Sequence, residues 1–590
     1  MFLSPIDWMI IAGYLVVCTV AGIRMRRYVT NVDDFAVAAR EVESSLGVTS
    51  LAATEVGIVT IVYTAQMGFT NGPAGATPGV LTAVAMLLVG LTGFVIVPLR
   101  EARVMTIPEL FEKRFGTRVR WLAGLVVILG GLLNMGVFLR AGGDFLLHVT
   151  GVSALAGFEV AVLGHTISLG YLELMMTGLL AIVLVYTVLG GMLSVLITDF
   201  LQFIVMGAGI VIVSLMVLWY IPWPEFISGL STAHEAGQRY AEAAKLETQQ
   251  VEAAARTIEQ TEGKQAAAAF LAAAAQKQGE DLKAAAGELA KQSVLVDTKS
   301  DTARPLTMAH PFNPFASEGL GFGWVLWQAM TAIAVVTTWQ TTIARVLAAR
   351  DAKTAKKIYR GTWFYFVGRF CLPGLWGAGA FLYFSANGGL PAGAASDTAM
   401  AEFLRVILPT GLIGILLAAM LAAEMSTDSG YLLTWSTVIY NDLITPCLRR
   451  PLSDRARLVT IRLVVVAIGL FLIFWGLWYE MSGSVWEYLA VTGNIYLASL
   501  FALLVGALYW RGANSWGATS AIVLGACGPL TFVVINAVVG KDSPYRIPGE
   551  VAGLAAFGLA FAGLIAGSLL GKAFGKGSPT PAEPIKETGS

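Results

Sequence analysis

Long apolar stretches separated by short polar connections dominate the chain. A bilayer crossing takes about 20 mostly apolar residues. On that criterion the pattern predicts spans near 6–23, 47–70, 77–99, 121–148, 170–189, 193–222, 320–346 and 358–385, and then near 408–440, 459–480, 485–510, 515–540 and 550–571. The expectation is an all-α polytopic membrane protein of about thirteen transmembrane helices. One long polar stretch interrupts it: residues 231–304 hold nine Lys/Arg and eleven Asp/Glu, and 20 of residues 231–290 are Ala among Glu, Gln and Lys. Such a density of strong helix formers predicts a helical hairpin or a frayed helix, broken at Gly263 and Gly279. The organisation expected is residues 1–230 as spans one to six, 231–304 as a helical insertion, 305–574 as spans seven to thirteen, and 575–590 as a disordered tail.

Charge tests the count independently, because Lys and Arg concentrate in the short loops on the cytoplasmic side. Arg24, Arg26, Arg27 and Arg40 follow the first predicted span, and the next connection, 71–79, has no basic residue. Arg100, Arg103, Lys113, Arg114, Arg118 and Arg120 follow the third. Arg345, Arg350, Lys353, Lys356, Lys357 and Arg360 then follow the seventh, Arg449, Arg450, Arg455 and Arg457 the ninth, and Arg511 the eleventh. This alternation places the N-terminus outside and the C-terminus in the cytoplasm of a cell-membrane protein, with 231–304 on the outer face, where it is either a solvated insertion or a docking surface for another protein. No Lys or Arg precedes the first apolar run, so that run reads as a retained helix and not a signal peptide.

Composition agrees: the chain is 56% hydrophobic and 13% charged, with mean hydropathy +0.70, against about a quarter charged in soluble domains. A net charge of zero excludes a nucleic-acid binder working through a basic surface. Four scattered cysteines, Cys18, Cys371, Cys447 and Cys527, indicate neither a disulfide framework nor a metal motif. No nucleophile with a base and no cofactor loop is apparent, which argues against an enzyme.

Ionisable groups at membrane depth are costly and are therefore functional candidates. They are Glu55, Arg140, Asp144, Asp199, Arg369, Glu424 and Asp428. On the ninth predicted span, Ser426 and Thr427 lie three and four positions after Ala423, so the Ala423 carbonyl and both hydroxyls face one point. Neutral oxygens so arranged suit a hard cation; interhelical hydrogen bonding is the alternative. On the second span, Glu55 and Gly57 among small residues mark a place where a helix can break and offer carbonyls to an ion.

Several motifs in order resemble the sodium:solute symporter family, which includes sodium/proline, sodium/galactose, sodium/sialic acid and sodium/pantothenate carriers. They are Asp33-Asp34-Phe35-Ala36 with Ala39-Arg40; residues 106–116, TIPELFEKRFG; Tyr186-Thr187-Val188-Leu189-Gly190-Gly191 leading to Thr198-Asp199-Phe200-Leu201-Gln202; Arg345-Val346-Leu347-Ala348-Ala349; and Ala423-Glu424-Met425-Ser426-Thr427 with Ser436-Thr437 and Asp442. The resemblance implies a LeuT-like core of inverted five-helix repeats, with spans two and seven broken near the centre. It also implies a sodium ion held by Ala53, Val56, Ala423, Ser426 and Thr427. Asp199 and Ser429 become candidates for a second sodium or for tuning the first, although Gly430 stands where that second site has a serine in some members.

For the solute, the resemblance puts Thr60, Ala332 and Val335 where sugar carriers have polar or gating residues, which disfavours a galactose-like site. Glu55 stands where proline-type carriers have an aspartate, in reach of an ammonium group or of sodium. Arg140 either binds an anionic solute or is neutralised by Asp144. Tyr63, Gln66 and Trp339 are candidate cavity residues or ordinary packing, and Arg369 and Glu424 are candidates to pair with each other or with backbone. The expectation is a sodium-coupled importer of a small polar organic solute. Its rivals are proton coupling through Glu55, Glu424 or Asp428, and a membrane solute sensor on the same scaffold.

Overall fold

The computed structural model describes residues 3–574 except 151–157, 163–164, 263, 298–303, 318, 392–393, 451, 479–484, 540–542 and 544. The expectations for Gly263 and for residues 575–590 lie outside the described residues. Helix α1 spans Pro5–Arg24. It starts where Ser4 and Asp7 cap each other reciprocally, and Asp7 Oδ1 also accepts the Gly411 and Gly414 amides at 2.9 and 2.8 Å. Then come α2 (Ser44–Glu55), α3 (Ile58–Asn71), α4 (Thr77–Thr92), α5 (Ile107–Phe115), α6 (Thr117–Thr150) and α7 (Tyr171–Tyr220). The polar insertion forms α8 (Trp223–Glu262) and α9 (Lys264–Lys291), followed by a small antiparallel pairing of Leu295–Asp297 with Arg304–Leu306. The second half comprises α10 (Phe322–Thr338), α11 (Gln340–Ala348), α12 (Ala352–Ala386), α13 (Ala399–Ile407), α14 (Leu412–Val438), α15 (Asp454–Trp478), α16 (Val485–Tyr509), α17 (Ser515–Val538) and α18 (Gly549–Ala573).

Ten stretches among the described residues, not thirteen, are long and apolar enough to cross a membrane. The difference has local causes. Tyr171–Tyr220 is one 50-residue stretch, but Gly191 within it has φ +50°, and a Cβ there would lie 2.6 Å from the Phe35 ring and carbonyl. Only glycine tolerates both conditions. Ile58–Thr92 joins α3 and α4 through a tight connection at Gly72–Ala76. Helix α12, 35 residues long and carrying Lys353, Lys356, Lys357, Arg360 and Arg369, is not among the ten.

Helix α14 sits at the centre. It is buried along most of its length and packs against α7, α1, α15, α6, α2, α3 and α11. Helix α12 packs against α3, α4 and α2, and α17 and α18 pair beside α16. Large apolar side chains, Val17, Trp219, Leu463, Val534 and Leu569 among them, stand exposed on the outside, as expected of a surface facing lipid. Helices α8 and α9 pack on each other, with Tyr240, Ala286 and Leu289 gathered around buried Leu282 and Val296, and Gly279 stays helical instead of breaking α9. The root of α8 is anchored by buried Phe226, Leu230 and Ala233.

The motif at 106–116 has a structural explanation. Thr106 caps α5, with its hydroxyl accepting the Glu109 amide and donating to Asp442 Oδ1 at 2.9 Å, and Gly116 at φ +89° ends the helix. Buried Asp442 also receives Arg120 Nε at 2.9 Å, Arg120 Nη1 reaches Glu112 at 2.5 Å, and the Asn441 amide donates to Glu109. This clasp ties α5 and α6 to the turn that ends α14. Asp442→Ala should therefore lower thermal stability by roughly 3 kcal/mol, the low end for breaking a buried pair because Glu112 still holds Arg120. Heat denaturation of the purified variant, compared with the Arg120→Leu/Asp442→Leu pair that loses both charges, measures this; the double variant should be the less impaired.

Candidate functional site

Two helices are interrupted at the centre of the bundle. Helix α2 ends at Glu55, Val56 adopts φ −112°, ψ 71°, and Gly57 is extended before α3 begins. Helix α10 ends at Thr338, and Trp339, at φ −64°, ψ 111°, separates it from α11. Each break frees backbone groups that the helix would otherwise pair, and in a membrane they must be met within the protein. Gly57 is required by close approach, since a Cβ there would lie 2.7 Å from Thr427 Oγ1.

Helix α14 meets the first break through its hydroxyls. Ser426 Oγ lies 3.0 Å from the Ala53 carbonyl and 2.9 Å from the Ala423 carbonyl. Thr427 Oγ1 donates to the Thr54 carbonyl at 2.9 Å. Of the five residues expected to form one cluster, Ala53, Ala423 and Ser426 are brought together, Thr427 stands one carbonyl along, and Val56 occupies the break itself with its amide on Ala53 O at 3.2 Å. All are buried. Ser429, expected near a second site, turns its hydroxyl to the Ser426 carbonyl at 3.2 Å.

Asp199 is engaged in a way the sequence did not suggest. Its Oδ2 accepts from Ser50 at 2.5 Å, from Thr54 at 3.1 Å and from Arg345 Nη2 at 3.2 Å. Arg345, counted above among the cytoplasmic loop cations, is instead fully buried, and its guanidinium also donates to Ser50 Oγ, Thr54 Oγ1 and the Thr341 carbonyl. The pair holds both broken helices against α7. The sequence offers Arg345 as a loop charge and as the first residue of the motif Arg345-Val346-Leu347-Ala348-Ala349, and neither reading points to a partner 146 residues away.

The second ion pair lies in a cavity of about 100 Å³ beside the breaks. Glu55 Oε1 accepts from Thr342 at 2.7 Å and Thr341 at 3.3 Å, and Oε2 receives Arg369 Nη1 at 3.1 Å. Arg369 Nη2 donates to the Tyr63 hydroxyl at 3.0 Å and to Thr60 at 3.4 Å. Arg369 thus pairs with Glu55, not with Glu424. Glu55, Thr60, Tyr63, Ala332, Val335 and Trp339 all line the cavity. Arg140 is not among the lining residues; it lies 4.0 Å from Asp144 on the same helix. Gln66 is likewise elsewhere, donating to Ser396. Gln328, Thr331, Tyr431 and Trp486, which no motif marked, are further polar and aromatic lining residues.

The Asp199–Arg345 pair yields a prediction. Asp199→Leu or Arg345→Leu alone strands a buried charge and should cost about 3–5 kcal/mol, whereas the double leucine variant should recover a large part of that loss. A double-mutant cycle on thermal or denaturant unfolding gives the coupling directly.

Comparison with known proteins adds the lineage. An osmoregulated proline transporter, OpuE, of Bacillus subtilis (strain 168) is 26% identical over 149 residues, 25% of this chain and 30% of that protein. A sodium/pantothenate symporter of Escherichia coli (strain K12) is 33% identical over 119 residues, 20% of this chain and 24% of that protein. These stretches span a third or less of each relative's length. The solved structure of a Na+-coupled sialic acid symporter, in a substrate-bound outward-open state, superposes with a TM-score of 0.67 at 17% identity, covering 98% of this chain and 99% of that one, which shows a shared fold of the LeuT type. The description of the sodium:solute symporter family matches residues 35–525, a stretch that contains both broken helices, α14 and the two buried ion pairs, and this multi-pass membrane protein belongs to that family.

Proposed function

We propose that the protein is a sodium-coupled secondary active symporter that brings a small polar organic solute into the cell by alternating access. The observation that carries the reading is the convergence of Ser426 Oγ with the Ala53 and Ala423 carbonyls, within 3.0 and 2.9 Å. Three neutral oxygens from an interrupted helix and its neighbour form the start of a hard-cation shell. Ala53, Val56, Ala423, Ser426 and Thr427 are the ligands we assign to sodium. Asp199 acts as the partner of Arg345, holding the sodium helices in register, and with Ser429 turned to a backbone carbonyl we assign it no second ion.

The solute occupies the cavity lined by Glu55, Thr60, Tyr63 and Arg369. In our reading the chain crosses the cell membrane thirteen times around two inverted five-helix repeats. Tyr171–Tyr220 counts twice because 50 residues bent at Gly191 exceed one crossing, Ile58–Thr92 counts twice across Gly72–Ala76, and α12 counts despite its cations. The basic loops then place the N-terminus and the α8–α9 hairpin outside and the C-terminus in the cytoplasm. The outer face of that hairpin, rich in Ala, Glu, Gln and Lys, has the composition of a solvated surface, and we assign it no partner.

Coupling follows from geometry. Sodium between α2 and α14 fixes the break that also carries Glu55, so ion and solute stabilise the same arrangement, and each must raise the other's affinity by one factor. One sodium supplies about 2.3 kcal/mol per 100 mV of membrane potential plus its concentration term. A second reading has one observation in its favour: Glu424 and Asp428 on α14 are buried and have no side-chain hydrogen-bond or ion-pair partner among the described residues, as a proton-coupled carrier would use.

Sodium should raise the melting temperature of the purified protein where potassium does not. In Ser426→Ala/Thr427→Ala that difference should disappear, or require at least about tenfold more sodium, as loss of one or two ion-dipole contacts demands. Equal stabilisation by sodium and potassium in both proteins would overturn the sodium site; uptake driven by a proton gradient without sodium would establish the second reading.

A further inference from the structure

The two charges of the cavity are unequally satisfied. Both oxygens of Glu55 are engaged, one by Thr341 and Thr342 and the other by Arg369. Arg369 spends Nη1 on Glu55 and Nη2 on Tyr63 and Thr60, while its buried Nε–H has no partner. Three more lining residues carry a buried polar atom without one: the Gln328 amide nitrogen, the Thr331 hydroxyl and the Trp486 indole nitrogen. Three of these four atoms can only donate, and the fourth donates readily. Among the described lining residues, no acceptor-only side-chain atom is left in this state. Buried polar groups are normally paired, so unpaired ones on residues that line a cavity need an explanation. Their shared chemistry is that they call for acceptors.

We propose that the transported solute bears a carboxylate, received by Arg369. The guanidinium is suited to it: its planar set of five donors serves a second acceptor without releasing Glu55. It is also held in place between Phe366 and Phe370, whose ring centres lie 5.2 and 5.5 Å from its central carbon. Val59, Phe138, Leu489 and Leu497 give the same cavity an apolar portion of wall, against which the non-polar part of a carboxylic acid packs. An α-amino acid and a plain monocarboxylate both satisfy this chemistry. The proposal rests on the cavity being the solute site, as argued above.

The test pairs acids with their amides. The melting temperature of the full-length protein in sodium is titrated with alanine, valine, phenylalanine, propionate and isobutyrate, each beside its amide, and with glucose and uridine as carboxylate-free controls. Acids should stabilise, and each amide should need about ten- to a hundredfold more ligand for the same effect, the factor expected when a charge-assisted hydrogen bond is lost. A response to the amino acids alone identifies a zwitterion, and a response to the plain acids as well shows that the carboxylate suffices; both support the proposal. Glu55→Gln/Arg369→Gln, which removes both charges together, should lose the preference for acid over amide. Arg369→Lys, which keeps the charge without the fork, should show a reduced preference.

Equal response to acid and amide, stabilisation by the carboxylate-free controls alone, or a preference that survives in the double variant overturns the proposal. So does sodium-responsive protein that no carboxylate stabilises. Loss of the sodium response in the unaltered protein would instead count against the ion site, so the two readings fail separately.

Discussion

Interrupting a helix inside a bilayer leaves backbone carbonyls and amides where lipid cannot pair with them, at a cost of several kcal/mol for each group left unmet. Two helices of this protein are interrupted at the same depth, and much of the central architecture serves those breaks. The hydroxyls of Ser426 and Thr427 reach the carbonyls of Ala53 and Thr54, and Gly57 lets α14 come close enough for them to do so. Helix α14 is buried along its length because it must present these hydroxyls, and it is in turn enclosed by α7, α1, α15 and α6. The Ala53 carbonyl and the Ser426 and Thr427 hydroxyls are also among the oxygens we assign to sodium, so the pairing of the break and the proposed ion site share residues.

Charge is distributed by the same constraint. Asp199 with Arg345, and Glu55 with Arg369, each join a residue beside the first break to a helix of the other half of the chain. A buried pair adds little net stability compared with apolar packing, but leaving either member alone is costly. Such pairs therefore resist any arrangement that separates their helices, which is useful at a site where ligand binding must select between arrangements. The Asp442–Arg120–Glu112 clasp applies the same device at the far end of α14. Glu424 and Asp428 stand apart from this scheme, buried on α14 without a charged partner among the described residues.

A good part of this was legible in the sequence. The apolar stretches mark the helices to within a few residues, the spacing of Ala423, Ser426 and Thr427 fixes a shared face, and Glu55 beside Gly57 marks the first break, because these features depend only on local period and composition. Crossings are harder to count, because a 50-residue helix and a charged α12 defeat a rule based on length and apolarity alone.

Partnership was not legible at all. Arg345 reads as a loop cation and is buried; Arg369 reads as a partner of Glu424 or of backbone and holds Glu55; Arg140 reads as a solute ligand or a partner of Asp144 and lies 4.0 Å from Asp144. Each of these turns on which side chain, some 150 to 310 residues away or one helical turn away, a charged group meets first, and hydrophobic pattern carries no information about that. The sequence by itself determined the membrane class, the helices and the oxygen face of α14, since these follow from periodicity along one segment. Only the tertiary structure decided which charges cancel and which donors remain unpaired in the cavity, because both are properties of segments brought together across the fold.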